Sequence, residues 1–279
     1  GLRSVVAGQN DLIYQVAARM KPVIDKAKNL TALTHPTLYC QQIYFNYARA
    51  PLDNVKVRQA INYAVDRDSF LKATLGSIGE IATMALPSTH WAYDKETAGL
   101  YKHDPDKAKK LLAEAGFKDG LDLTMGNYTD QDSVRRGEVI LDQLGKVGIR
   151  VKFTSGTVPE ISAQFFGNEK KFDALLSAWT GRPDPSMTYS LMFGKGAYYN
   201  AGRGEASPEL SALLQQSRES EDLNARAAIF AKIQRMVMGE ALVAPLAFQF
   251  ELDALSQRTK GFKPNLLGKP KFEDIWLAS

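Results

Sequence analysis

The stretch richest in chemistry is Trp179-Thr180-Gly181-Arg182-Pro183-Asp184-Pro185. An indole offers a broad apolar face, a guanidinium offers a fork that fits a carboxylate, and prolines hold the backbone at little entropic cost. The segment follows an apolar run, Phe172 to Trp179, that reads as a strand. In open α/β sheets, ligands meet the loops at the carboxyl ends of strands, so this is a suitable place for a binding loop. A plainer reading stands beside it: the Trp plugs the end of a sheet, and Arg182 and Asp184 are merely exposed.

No second group of residues assembles a catalytic set. His35, His90 and His103 are far apart, and none has an i, i+4 partner or a neighbouring Cys, so no metal-ligand spacing is present. The single cysteine, Cys40, sits in the apolar stretch Leu38-Tyr39-Cys40 and reads as a buried structural thiol. No G-x-S-x-G elbow occurs. Gly202-x-Gly204 before Ser207 lacks the third glycine and the Walker lysine of phosphate loops, and reads as a turn ahead of a Ser207 helix cap. Lys107, Lys109 and Lys110 fall on the polar face of a helix, and Glu219, Glu221 and Asp222 fall at a helix junction where carboxylates favour the next N-terminus. No catalytic residue, metal site or cofactor is expected.

Composition fits that picture. The 279 residues are 44% hydrophobic and 24% charged, as in ordinary globular domains. Thirty-five basic and 31 acidic residues leave a net charge of +4, too mild for a nucleic-acid footprint. No run approaches the roughly 20 apolar residues that span a bilayer. Neither a signal peptide nor an initiator Met precedes Gly1-Leu2-Arg3, which suggests a processed or partial chain.

The elements that must position the loop follow from periodicity and caps. Residues 1 to 46 read as a helical segment, a linker and a strand over Leu38 to Phe45. One long helix is expected from an Asn54 cap to Gly76, with Val57, Ala60, Ile61, Ala64, Val65 and Leu71 at helical spacing. Residues 77 to 103 read as irregular. Asp104 caps a helix with Pro105 at its first position, and Gly116 ends it. Then strand-like Leu121 to Met125, a helix over Ser133 to Val147, strand-like Ile149 to Phe153, a helix over Glu160 to Phe166 and the Phe172 to Trp179 strand follow in turn. That β-α-β-α-β order predicts a parallel or mixed sheet covered by helices. Residues 181 to 204 read as a long functional loop. Helices from Ser207 and Asp222, a single strand over Leu242 to Leu252 and an extended tail complete the chain.

Several runs then carry a resemblance. They are Ile43-Tyr44-Phe45-Asn46, the stretch from Ala50-Pro51-Leu52-Asp53-Asn54 through Asn62-Tyr63-Ala64-Val65-Asp66-Arg67, Tyr101 to Phe117, Trp179 to Pro185 with Asn200 downstream, and Lys260-Gly261-Phe262. Together they resemble the C-terminal part of the family 5 extracellular solute-binding proteins, the dipeptide, oligopeptide and nickel-type receptors of bacterial ABC importers. The resemblance implies an α/β, periplasmic binding protein-like lobe with a mixed sheet flanked by helices, plus remnants of a second lobe. Residues 48–240 would form the ligand-binding lobe. Residues 1–47 would be first-lobe remnant and hinge crossing, and 241–279 would return into the first lobe. It further implies a C-terminal fragment that alone binds small ligands weakly or not at all.

The implied activity is capture of a peptide or peptide-like solute between two lobes and its delivery to permease subunits. The implied setting is the periplasm, or the cell surface as a lipoprotein, with membrane contact only through the permease or an N-terminal anchor outside this chain. No cofactor and no nucleic acid are implied. The expected ligand-binding residues are Trp179, Thr180, Gly181, Arg182, Asp184 and Asn200. In peptide-binding relatives an Asp three residues after the loop Trp meets the ligand's α-ammonium. Here that place holds Arg182, and Asp184 lies five residues on. Arg182 is therefore expected to meet a ligand carboxylate, with Asp184 as the other candidate anchor. A partner-binding structural module and a hydrolase of small peptides are the competing readings.

Overall fold

Side-chain caps set the starts of the helices that flank the main sheet. Asp104 accepts the Lys107 N–H at 2.9 Å ahead of Pro105, and Asp130 accepts the Ser133 N–H at 2.9 Å. Thr157 and Glu160 form a reciprocal capping box. The computed structural model describes residues 1–76, 78–202 and 207–278. Gly204, read above as part of a turn, lies outside the described residues.

In chain order the first elements are α1 (Leu2–Val6), β1 (Leu12–Ile13), α2 (Lys21–Lys26), β2 (Leu30–His35) and β3 (Tyr39–Phe45). Then come α3 (Val55–Ala64), α4 (Arg67–Leu75), β4 (Gly79–Ile81), α5 (Lys95–Ala98) and α6 (Pro105–Glu114). The expected β-α-β-α-β run is β5 (Leu121–Tyr128), α7 (Gln131–Gly145), β6 (Ile149–Gly156), α8 (Val158–Phe166) and β7 (Ala174–Thr180). After it lie α9 (Pro185–Phe193), α10 (Pro208–Gln216), α11 (Leu223–Gly239), β8 (Val243–Gln249), β9 (Glu251–Ser256), β10 (Thr259–Lys260) and β11 (Trp276–Leu277).

The main sheet is mixed, in the order β4-β8-β3-β7-β5-β6. Strands β7, β5 and β6 are parallel, and β3 runs antiparallel to both β7 and β8. One face packs on α3, α4, α6 and α7 through Ile43, Ile61, Phe70, Leu112 and Ile140. The other packs on α8 to α11 through Tyr44, Phe165, Tyr189, Leu213 and Phe230. A separate three-stranded sheet, β1-β9-β2, has its own small core of Val5, Ile24, Leu252 and Ile78.

Four expectations change. The helix expected over Asn54 to Gly76 is two, because Asp66 leaves helical backbone and caps α4 through the Ser69 N–H. Residues 77 to 103 contain β4 and α5. The long loop after Gly181 contains α9, started by Asp184 and Pro185, the same cap-plus-proline signature as Asp104-Pro105. The single strand expected over Leu242 to Leu252 is two strands in different sheets, changing over at Phe250. Pro245 sits in the middle of a sheet because a bulge there shifts the register between Gln41 and Gln42.

The chain crosses between the two sheets at 36–38 and again at Phe250. Strands β3 and β8, grouped by sequence with the first-lobe segments 1–47 and 241–279, lie in the six-stranded sheet. The two crossings are stitched side by side. The Thr37 hydroxyl donates to the Gln249 carbonyl at 2.7 Å, and Gln41 Nε2 donates to Gln249 Oε1 at 3.1 Å.

Just beyond the crossing, buried Glu251 faces His35 across the strand pair, with the Asp253–His35 pair beside it. Burial and the neighbouring Asp253 push the Glu251 carboxyl up from its ordinary range, against the opposing pull of His35. A raised carboxyl pKa favours the fold below the unfolded value of 4.5, and that support fades as pH climbs through the folded value. Relative to the parent, Glu251→Gln should therefore gain stability as pH rises above 4.5, read from urea midpoints across pH. A gap that narrows with rising pH would contradict this.

Two buried arginines fasten the helices to the sheet. Arg58 donates to the carbonyls of Leu52, Asp53, Glu240 and Ala241. Arg67 donates to the carbonyls of Ala82, Pro245 and Asn62 and to Asn62 Oδ1. Burial without a carboxylate pushes the Arg67 pKa down to about 10. Arg67→Met should cost about 3 kcal/mol by leaving these acceptors unpaired. A urea midpoint within error of the parent would refute that.

Candidate functional site

Three parallel strands end together, and a cleft of about 490 Å³ opens at their carboxyl edge. Strand β7 delivers Ser177, Trp179 and Thr180, and β5 delivers Tyr128. The first turns of α7 bring Asp130, Asp132, Ser133 and Arg136. Helix α8 presents Val158, Ser162 and Phe166, four residues apart on one face. Tyr39 enters from β3, paired in register with Thr180, and Gln249 from the end of β8.

The floor is polar and the wall aromatic. The Tyr128 hydroxyl is 2.9 Å from the Ser177 hydroxyl and 3.2 Å from that of Ser162. Trp179 is nearly buried, meets Tyr199 edge-on with centroids 5.2 Å apart, and carries the Arg182 guanidinium over its ring at 5.5 Å. The Trp both plugs the sheet end and lines the cleft, so the two readings of its role are not exclusive. Burial pushes the Tyr39 phenol up, although the charge of Arg136 opposes it, so Tyr39 remains a neutral donor.

The carboxylates of the cleft are already engaged. Asp130 accepts the Ser133 N–H and hydroxyl, and Asp132 pairs with Arg19 from outside the main sheet. Burial alone would raise the Asp130 carboxyl, but the Ser133 bonds and the Arg136 charge hold it below its ordinary range. The two guanidiniums are less committed. Arg136 donates to the Ser133 hydroxyl at 2.5 Å, and Arg182 donates to the Thr180 carbonyl at 2.6 Å. Among the described residues neither is paired with a carboxylate.

The structure divides the six expected residues. Trp179, Thr180 and Arg182 line the cleft. Gly181 stands behind it, its N–H donating to the Leu38 carbonyl at 2.8 Å. Asp184 and Asn200 are not among the lining residues. Asp184 caps α9 through the Ser186 N–H, and Arg226 Nη2 reaches both its oxygens at 2.8 Å. Burial opposes its ionisation, but Arg226 and Ser186 outweigh it and hold the carboxyl below its usual range. Asn200 is fully buried, donates to the Gly194 carbonyl at 2.9 Å and accepts the Tyr47 hydroxyl.

Sequence reasoning missed Tyr39, Tyr128, Arg136 and Gln249. The rule that found Trp179 would have found Tyr128 had β5 been read to its true end, three residues past Met125. Arg136 was legible only as a polar residue one turn into a helix.

The sequence model described as bacterial extracellular solute-binding proteins, family 5 Middle, matches residues 2–200. The chain belongs to this family. A dipeptide-binding protein of Escherichia coli is 29% identical over 269 residues, covering 92% of this chain and 48% of that protein. Heme-binding protein A of Haemophilus influenzae is 32% identical over 278 residues, covering 96% of this chain and 50% of that protein. The chain thus spans about half the length of these curated relatives. Among solved structures, a Pseudoalteromonas dipeptide-binding protein in complex with Met-Leu superposes with a TM-score of 0.85 at 23% identity, over 99% of this chain and 56% of that one. At that identity the likeness establishes the fold, an α/β periplasmic binding protein architecture. The family is one of binding proteins that act in the periplasm or outside the cell.

Gly181 is fixed by space. A Cβ there would lie 2.6 Å from the Leu38 Cβ and 3.0 Å from its carbonyl oxygen. Gly181→Ala should cost about 1–3 kcal/mol through overpacking. Thermal unfolding at the parent's midpoint would disprove the fit.

Proposed function

We propose that this chain supplies a ligand-holding lobe of an ABC-importer receptor, which captures a carboxylate-bearing peptide or peptide-like solute and presents it to a membrane permease. The six-stranded sheet and its helices form that lobe. The β1-β9-β2 sheet belongs to the facing lobe, and the stitched crossings at 36–38 and Phe250 serve as the hinge. The observation that carries the reading is the pair of guanidiniums, Arg136 and Arg182, in one aromatic cleft, neither paired with a carboxylate among the described residues. A fork above an indole suits a ligand carboxylate, and the neutral hydroxyls of Tyr39, Tyr128, Ser162 and Ser177 suit peptide carbonyls and amides.

The relatives' names agree in chemical class: dipeptides and heme both carry carboxylates. Binding without turnover is supported by membership of a family of solute-binding proteins. The same kinship supports a place in the periplasm or at the cell surface, with membrane contact through the permease. Asp184 is a poor ammonium anchor because Arg226 already occupies it.

The test is calorimetric titration of the purified protein with a dipeptide and its C-terminal amide. Arg182→Ala should weaken dipeptide binding roughly 10- to 100-fold, as loss of a charge-assisted hydrogen bond does. It should leave the amide's affinity unchanged. Equal affinity of parent and variant for the dipeptide would defeat the reading.

A further inference from the structure

The Trp179–Arg182 platform does not hold itself in place. Its two halves are three residues apart on the turn leaving β7, where the chain bends away from the sheet. The indole Nε1–H of Trp179 is buried and can only donate. The backbone N–H of Arg182 also points inward, since the strand ladder ends at Thr180. Both donors converge on one atom. The Thr188 hydroxyl oxygen accepts the Trp179 indole at 3.3 Å and the Arg182 backbone N–H at 3.1 Å. Thr188 is itself buried, in the second half of the first turn of α9.

We propose that Thr188 is the positioning residue of the cleft, whose single hydroxyl fixes indole and guanidinium in one relative geometry. The proposal rests on the reading of the cleft as the ligand site. The geometry gives the reason. Thr180 and Gly181 tie the front of the turn to Tyr39 and Leu38, and Asp184 ties its back to Arg226. Between these anchors, among the described residues, only Thr188 is seen to reach the Arg182 backbone. It does so from a helix that cannot drift, because α9 is held at its start by the Asp184 cap and along its length by the core. The Arg182 guanidinium then has three restraints of its own, the Thr180 carbonyl, the Gly181 carbonyl at 3.5 Å and the Trp179 ring. Moving the hydroxyl releases the ring and the backbone together. Thr188 touches no ligand in this scheme. It sets where the carboxylate fork stands, and pre-organisation of that kind shows in affinity.

Thr188→Val keeps the shape and removes the acceptor, and Thr188→Ser restores it. In Thr188→Val the Trp179 indole and Arg182 amide protons should exchange faster than in the parent, without global unfolding. Affinity for a dipeptide should fall about tenfold, with the loss absent for its C-terminal amide and reversed in Thr188→Ser. A merely structural role would weaken both ligands alike. Unchanged protection of the two protons would overturn the proposal directly. Faster exchange with unchanged dipeptide affinity, alongside a silent Arg182→Ala, would overturn it by removing the ligand site beneath it. Faster exchange and unchanged dipeptide affinity with a responsive Arg182→Ala would refute the positioning role alone. If Thr188→Val does not fold, Thr188→Cys keeps the volume with a much weaker acceptor and is read the same way.

Discussion

Gly181 meets Leu38 with no room between them, and the rest of the site hangs on that approach. Leu38 lies in the first crossing between the two sheets. Its carbonyl accepts from Gly181, and its N–H donates to the carbonyl of Leu266 in the tail. One residue therefore joins the crossing, the cleft loop and the C-terminal segment. Were the loop held further off, Tyr39 and Thr180 could not pair at the cleft edge, and Arg182 would not stand over Trp179. A crossing that shares a backbone hydrogen bond with the cleft loop couples the position of the small sheet to that of the loop by geometry. No separate relay has to be invoked.

The runs most similar to the family are mainly scaffold. Arg58 and Arg67 lie in the most recognisable of them, and each spends its guanidinium on backbone carbonyls at helix and strand ends. A forked donor with five N–H groups satisfies several orphan acceptors at once, which a Lys could not do with the same reach. That explains how a stretch with strong sequence character can sit away from the cleft. The cleft residues, by contrast, arrive singly: Tyr39 from one strand end, Tyr128 from another, Arg136 one turn into a helix. Sequence similarity here reports the frame, and the cleft residues leave little local signature.

The same contrast explains what was legible beforehand. Periodicity and caps located the β5-α7-β6-α8-β7 run and the carboxyl edge where Trp179 sits, because both depend on nearest neighbours in sequence. The errors came where tertiary partners decide. Asp66 breaks the helix expected through residue 76, and its N–H is met by Gln143 from α7. Nothing local marks Phe250 as a change of sheet, since the apolar run continues through it. Asp184 was legible as a cap, having the same form as Asp104-Pro105. The same carboxylate reads in sequence as a ligand anchor or as a helix start, and the structure uses it as the second.

That last case bears on how the site differs from an ammonium-binding one. An acid in this loop can serve a ligand only if the protein leaves it unpaired. Asp184 has been taken by the α9 N-terminus and by Arg226, whose guanidinium is itself packed near Trp91 and Phe230. Freeing it would expose a helix end and strand a largely buried cation, so the fold resists lending it to a ligand. Arg182 has the opposite standing. Its bonds are to a neighbouring carbonyl and an aromatic face, both of which leave the outer edge of the fork open. Charge in the loop is thus divided by use: the anion is paired within the fold, and the cation has no carboxylate partner among the described residues. The carboxylate ligand proposed above is favoured by that division more than by the presence of an arginine alone.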